Sequence, residues 1–445
     1  MLVVIRLSVH ADATLWDTNG HPATIAEGQH WYVIGDEDCR YPPFFDAALA
    51  RNAAIRRDVS LFYFDESIDS APCCGPKPEF DLARLTAEDY VGVPIAIQAD
   101  ALAQLGSIRP QHGEAAIYDL LLRAAAAGMV IDRAADTEVR RSRARTTAPQ
   151  ALRERAVQSW AEAAGHALDV LPDPVRSALQ LRVRFNAGIP PPPLTIAIAH
   201  HDAPKAPGRD DAHWLQALLA GLSSPADLDQ PLRVIAHEAA ARGVVGPGFG
   251  SVPVRIIGSA SNYPSVTAQF NTLWRNCETE HLVLIANAYP SSADWPWWAL
   301  LSFSLQQDVG IVNALVADAA GNIEGAVSRE QLRDAYADAS TPSVRPQPLD
   351  ALKRFHCEWP IGASRVLAIR RSVLEEVQGL DEGLPLLLST LDLNLKLRML
   401  GYRSVTTPHA PFTAPSALAG EPLAPSAVAI FFARWQEILA RRNWL

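Results

Sequence analysis

Carboxylates, carboxamides and histidines in this chain gather at the ends of short apolar runs, the places where a sheet would present them to a ligand. Asp36-Glu37-Asp38 follows the run Trp31–Ile34. Such a triplet offers hard oxygens to Mg2+ or Mn2+, with Asp36 and Asp38 as the candidate ligands, or it is a solvated turn. His200-His201-Asp202 closes the run Leu194–Ala199, and His237-Glu238 closes Arg233–Ala236. Neighbouring histidines at a strand end point to opposite faces, which disfavours joint ligation by His200 and His201. His237 reads as a packed or solvated side chain rather than a ligand. Ser259–Asn262 and Asn287-Ala288-Tyr289 are further polar turns after apolar runs.

The elements that would carry these turns alternate. Leu194–Ala199, Arg233–Ala236, Val254–Ile257, His281–Ala286 and Val309–Val316 read as buried strands, with helices at His213–Leu222 and Val266–Asn276. Apolar strands alternating with helices predict a mostly parallel sheet covered on both faces. In such sheets ligands sit beyond the carboxyl ends of the strands, so the polar turns would surround one crevice.

At 445 residues, two domains are expected. A net charge of −10 gives no general attraction to nucleic acid, so no nucleic-acid partner is expected. The five cysteines include an adjacent pair and no CxxC or metal-finger spacing, as in a reduced cytoplasmic protein with ordinary buried thiols. The N-terminal run reads as a strand rather than a signal peptide, and no run of about 18 apolar residues would span a bilayer.

The chain also resembles itself. Glu27–Asp36 aligns with Glu278–Asn287, pairing His30 with His281. Val93–Leu102 aligns with Arg365–Leu374, and Asp119–Gly128 with Asp392–Gly401. Three matches in order indicate an internal duplication. Between the copies, Pro149–Leu171 has helical spacing, Leu181–Phe185 reads as a strand, and Pro190–Pro193 forms a stiff spacer. The expected domains are therefore a truncated unit at 1–146, a helical and proline-rich linker at 147–193, a complete unit at 194–412, and a C-terminal amphipathic helix at 413–445. That helix would dock on its own core or a sister subunit, or lie on a membrane surface.

These segments resemble the family-2 type of inverting glycosyltransferases with the GT-A fold, in the tandem form of bacterial O-antigen and capsule assembly. Leu194–Asp202 resembles the family's first strand and its aspartate-bearing turn, and Arg233–Glu238 the strand whose terminal acid reads the nucleoside. Asn262 and the following helix resemble the segment before the metal strand. His281–Tyr289 stands at the strand ending in Asp-x-Asp. Asp294-Trp-Pro-Trp-Trp298 resembles the next helix start, and Trp359–Arg371, continuing to Gly379-Leu-Asp381, resembles the acceptor side, with His356–Glu358 lining it. Leu391–Tyr402 is similar to the closing helix.

The resemblance implies two GT-A-like α/β units, the first lacking most of its nucleotide-binding half. It also implies a nucleotide-sugar donor, held by Asp202, Glu238, Asn262 and Asn287, and a glycan or lipid-linked acceptor. A cytoplasmic location is expected, peripheral at the inner membrane, with a homo-oligomer or glycan-assembly partner. The chemistry is eroded. The metal pair is represented by Asn287 and Tyr289, so magnesium or manganese binding should be poor. The residue at the general-base position is Thr390, two before Asp392, and a threonine is no base near neutral pH. Asp392 is either catalytic or an acid at a helix N-terminus. The implied function is sugar transfer to a bacterial surface glycan, or a catalytically inactive relative acting as a scaffold.

Overall fold

The computed structural model describes residues 3–9, 15–16, 30–69, 77–143, 146–184, 192–200, 218, 233–238, 254–258, 265–291, 297–304, 306–317, 323–324, 326–327, 357–358, 361–362, 364–414 and 424–440. The chain divides into two compact units, Met1–Gln180 and Leu181–Leu445.

In the first unit, β1 (Val3–Val9), β2 (Leu15–Trp16), β3 (His30–Gly35), β4 (Cys39–Arg40), β5 (Val59–Ile68), β6 (Ile95–Gln98) and β7 (Val130–Arg141) form one sheet. Its order is β2-β1-β3-β6-β5-β7-β4. Helices α1 (Phe45–Ile55), α2 (Leu82–Ala87), α3 (Ala99–Gln104) and α4 (Ala116–Ala126) connect the strands. The segment expected to be a linker contributes α5 (Gln150–Ala163) and the two-stranded sheet of β8 (Leu168–Asp173) and β9 (Ala178–Val183). The helix expected over Pro149–Leu171 stops early because Gly165, at φ 72, turns the chain out of it.

The second unit contains β10 (Leu194–Ala199), β11 (Arg233–His237), β12 (Val254–Ile257), α6 (Val266–Arg275), β13 (His281–Ala286), β14 (Tyr289–Pro290), α7 (Trp297–Ser304) and β15 (Val309–Ala317). There follow the short β16 (Ile323–Glu324), β17 (Ala326–Val327) and β18 (Ile361–Gly362), then β19 (Val366–Arg370), α8 (Arg371–Val377), α9 (Leu386–Met399), β20 (Arg403–Thr413) and α10 (Pro425–Ala440). The sheet order is β12-β11-β10-β13-β19-β15-β20-β14, with β16 on β15, and β17 pairs β18 separately. Strands β12, β11, β10 and β13 are mutually parallel, and β15 is parallel to β20. β19 runs antiparallel between β13 and β15. The mostly parallel sheet expected here is present.

The two sheets repeat one path. β1-β3-β6-β5-β7-β4 and β10-β13-β19-β15-β20-β14 agree in order and in the sense of every pairing. Even an irregularity recurs, with Ser60 skipped between β5 and β7 and Gly310 skipped between β15 and β20. The aligned histidines His30 and His281 open equivalent strands. Beyond β10 the second unit adds β11 and β12, where the first, among the described residues, shows the antiparallel β2. This is the two-unit α/β architecture with a truncated first copy.

Burial on two sides explains α9, whose leucines are spread around the helix rather than gathered on one stripe. Leu386, Leu393 and Leu397 join the core that includes Ile311, Leu367 and Ile369 of the sheet. Leu387, Leu388, Leu391 and Leu395 pack with Val428, Phe431, Phe432 and Trp435 of α10. The apolar face of the C-terminal helix is thus spent on its own unit. Asn313, Ser389 and Ser404 are also buried, with side-chain polar atoms that lack a protein partner, sites suited to ordered water.

Candidate functional site

The carboxyl ends of β10, β11 and β13 lie along one edge of the second sheet, because these strands are parallel and in register. Ala199 is paired with Ala286, so the residues that follow, His200 and Asn287, are neighbours. His200 Nδ1 lies 3.0 Å from Asn287 Oδ1. An amide oxygen only accepts, so Nδ1 carries the proton of this pair. The His200 main chain is clamped by Gln269 of α6: its N–H donates to Gln269 Oε1 at 2.9 Å, and its carbonyl accepts from Gln269 Nε2 at 2.8 Å.

Asn287 has φ 45 and is 5% exposed. Asparagine tolerates this left-handed turn better than most residues. On the other flank, Ala286 N–H donates to the Arg365 carbonyl at 2.8 Å, and Arg365 Nη1 reaches the Asn287 carbonyl at 3.4 Å. The Arg365 residue is only 3% exposed. Ala288 is buried, and Tyr289 is held in β14 against Thr413 of β20.

At the end of β11, His237 is 3% exposed, and burial lowers its pKa against the opposing pull of Glu238. A Cβ on Gly258 would lie 2.5 Å from His237 Nε2, so the ring packs where only glycine, here at φ +103, leaves room. Glu238 follows directly and is half-buried. Strand topology therefore brings His200, Glu238 and Asn287 to one edge. Asp202 and Asn262 lie outside the described residues, as do His201, Asp294 and His356. Glu358, expected near the acceptor, is ion-paired with Arg403 at 2.8 Å.

Asp392 and Thr390 sit in the buried body of α9. The Asp392 carboxylate meets Arg434, Lys396 Nζ at 2.7 Å and the Trp435 indole N–H at 2.9 Å. It lies beyond the first turn of α9, so the arginine and lysine, not the helix N-terminus, hold its charge. Thr390 Oγ1 donates to the carbonyls of Leu386 and Leu387 at 2.9 and 3.1 Å. The corresponding acid of the first unit, Asp119 on α4, is likewise buried and bonded by Arg123 Nε at 2.8 Å, also four residues on. Arg109 and His112 lie nearby, and burial lowers the His112 pKa.

In the first unit, the tip of β3 carries Asp36 and Asp38. Asp36 Oδ2 pairs with Arg141 Nη2 at 2.5 Å, while its Oδ1 accepts from the Asp38 N–H at 3.1 Å and from Cys39 Sγ at 3.2 Å. Arg141, 1% exposed, also reaches Cys39 Sγ, the Val93 carbonyl and Glu66. Burial and the Asp36 charge push the Cys39 thiol up to about 12. Asp38 accepts from Ser142 Oγ at 2.5 Å and from Arg143 Nε at 2.6 Å, which together lower its pKa. Among the described residues no group of three or more His, Cys, Asp or Glu could hold a metal ion.

Residue spacing did not single out Arg365, Gln269 or Arg141. Gln269 is one of three polar residues, with Thr267 and Asn271, on the buried face of α6, and nothing in the spacing sets it apart from them. Arg365 lies inside a quoted segment, but only the antiparallel insertion of β19 carries it to Asn287.

No family model matches the sequence, and no curated protein matches it. Among solved structures the chain is similar to the mannosyltransferase PcManGT from Pyrobaculum calidifontis, in complex with GDP-Man and Mn2+. The identity is 17%, over 61% of this chain and 73% of that one, with a TM-score of 0.35. It is similar to GalNAc-T7 with UDP, GalNAc and Mn2+, at 11% identity over 60% of this chain and 52% of that one, TM-score 0.38. It is similar to S. aureus TarS 1–349, at 10% identity over 56% and 66%, TM-score 0.34.

Proposed function

We propose that the second unit is a glycosyltransferase unit that binds a nucleotide-sugar and passes the sugar to a bacterial surface-glycan acceptor. The observation that carries this reading is the parallel edge of β11, β10 and β13, which collects Glu238, His200 and Asn287 at the carboxyl ends where such sheets seat ligands. On this reading Glu238, and Asp202 and Asn262 from the neighbouring loops, recognise the nucleoside, and Asn287 faces the diphosphate. The repeated sheet path supports descent from a duplicated family-2 ancestor, with the first unit a shortened sister. A glycan or lipid-linked acceptor, a cytoplasmic position peripheral at the inner membrane, and a homo-oligomer or glycan-assembly partner complete the proposal.

A second reading, a pseudo-glycosyltransferase that acts as a scaffold, is favoured by one observation. Asp392 is occupied by Arg434, Lys396 and Trp435, and Thr390 by backbone carbonyls, so neither is placed to take a proton. Calorimetric titration of the full chain with UDP-, GDP- and dTDP-sugars tests the transferase reading: heat with one donor is expected, and none with any would refute it. Sugar release from the bound donor in the presence of acceptor extract separates transfer from scaffolding.

A further inference from the structure

Where β10 leaves the sheet, a side chain takes over from the neighbouring strands. The pairing of β10 with β11 ends at Ile198 and with β13 at Ala199. One residue further, a single carboxamide grips the His200 main chain at two points: the N–H donates to Gln269 Oε1 at 2.9 Å, and the carbonyl accepts from Gln269 Nε2 at 2.8 Å. These are the bonds that a further strand would supply to the backbone. The amide is itself well held. Gln269 is buried on α6, whose Val266, Phe270 and Leu273 share a core with Ala197 and Ala199 of β10. Ser265 caps that helix by accepting from the Ala268 N–H at 3.2 Å. A fixed His200 main chain in turn sets the ring that reaches Asn287 at 3.0 Å.

We propose, resting on the nucleotide reading above, that Gln269 is a positioning residue of this edge. Its grip on His200 fixes the end of β10, and with it the contact between the tips of β10 and β13, in the arrangement that accepts a nucleotide. A site whose parts are already ordered loses less freedom when its ligand arrives, which favours affinity. Asn271 provides the contrast. It is a second buried amide of α6, bonded equally well, but to the turn before α9. Its Nδ2 donates to the Leu380 carbonyl and to Glu382 Oε1, both at 2.8 Å. Its Oδ1 accepts from the Leu380 N–H at 3.0 Å and the Trp274 indole N–H at 2.9 Å. None of these partners lies at a strand tip.

The test is calorimetric titration of the full chain with UDP, GDP and dTDP, repeated for Gln269→Leu and Asn271→Leu with the nucleotide that binds. Gln269→Leu should weaken binding about tenfold, the effect of freeing one ordered element of a site. Asn271→Leu should stay within about twofold of the unaltered chain. Two amides with a structural role alone would weaken binding alike. Gln269 is buried and its replacement can unfold the unit, so a second measurement uses the unaltered chain. Coupling between two equilibria is reciprocal: a grip that favours the nucleotide tenfold is favoured tenfold by it. Saturating nucleotide should therefore slow hydrogen exchange at the His200 main-chain N–H about tenfold. A folded Gln269→Leu chain that binds as the unaltered one does, equal weakening by both variants, or exchange at His200 that nucleotide leaves unchanged overturns this inference and leaves the nucleotide reading standing. No binding by the unaltered chain overturns that reading, and the inference with it.

Discussion

The tips of β3 and β13 are the same place in two copies of one sheet path, and each has an arginine beside it. The arginines arrive by different routes. Arg141 comes from the far end of β7, while Arg365 is the residue just before β19. In the first unit the guanidinium faces Asp36 and Glu66 and ties the tip into the core. In the second the guanidinium reaches the carbonyl of Asn287 at 3.4 Å, beside His200. The difference teaches that a repeated fold can preserve an arginine beside the strand tip while the tip residue changes from a carboxylate, Asp36, to an amide, Asn287.

The largest expected effect is on the lock. Arg141→Ala should cost about 3–5 kcal/mol, because it strands Asp36 and Glu66 beside a closed core. Hydrogen exchange resolved by unit should show the loss in β3–β7 with β10–β13 unchanged; equal loss in both units would break the comparison. Next comes Arg434→Ala, which leaves Asp392 buried with Lys396 and Trp435 alone. About 2–3 kcal/mol is expected, seen as faster exchange across α10 in residues 425–440. Unchanged exchange there would mean that Asp392 does not anchor the helix. Gly258→Ala should cost about 1–3 kcal/mol through backbone strain and displacement of the His237 ring, measured by guanidinium denaturation of the second unit.

The smallest effect is on pH dependence. Burial holds His112, His237 and His281 below the usual histidine value of about 6.5. Between that value and the lowered native one, the unfolded chain binds more protons, so stability rises with pH through this window and is lost as pH falls. The slope is at most about 1.4 kcal/mol per pH unit for each histidine. The second unit holds two of the three and should lose stability to acid first. The reverse order, followed by unit-resolved exchange between pH 6.5 and 5, would contradict the assignment.

Much of the second sheet was legible because strands buried on both faces must be continuously apolar. Leu194–Ala199 and His281–Ala286 appear at the expected residues, and Val309–Val316 is longer by one. The direction of β19 was not legible, since an apolar run of four residues, Val366–Ile369, reads alike whether it runs up or down the sheet. That one reversal decides the neighbours of Asn287, which is why Arg365 was missed while His200 was weighed. The acids fared similarly. Asp36 and Asp392 have the residue type for metal binding or catalysis, and their long-range partners, Arg141 and Arg434, are not legible from spacing. The helix at 149–171 was half right, because apolar spacing continues past Gly165 into β8.

The most direct test is a crystal of the full chain soaked with the nucleotide selected by calorimetry together with Mn2+, with anomalous data collected at the manganese edge. The expected map has the nucleotide along the carboxyl ends of β11, β10 and β13, its diphosphate beside Asn287, and no anomalous peak there. Manganese coordinated at Asn287, or a nucleotide bound anywhere but this edge, would contradict it.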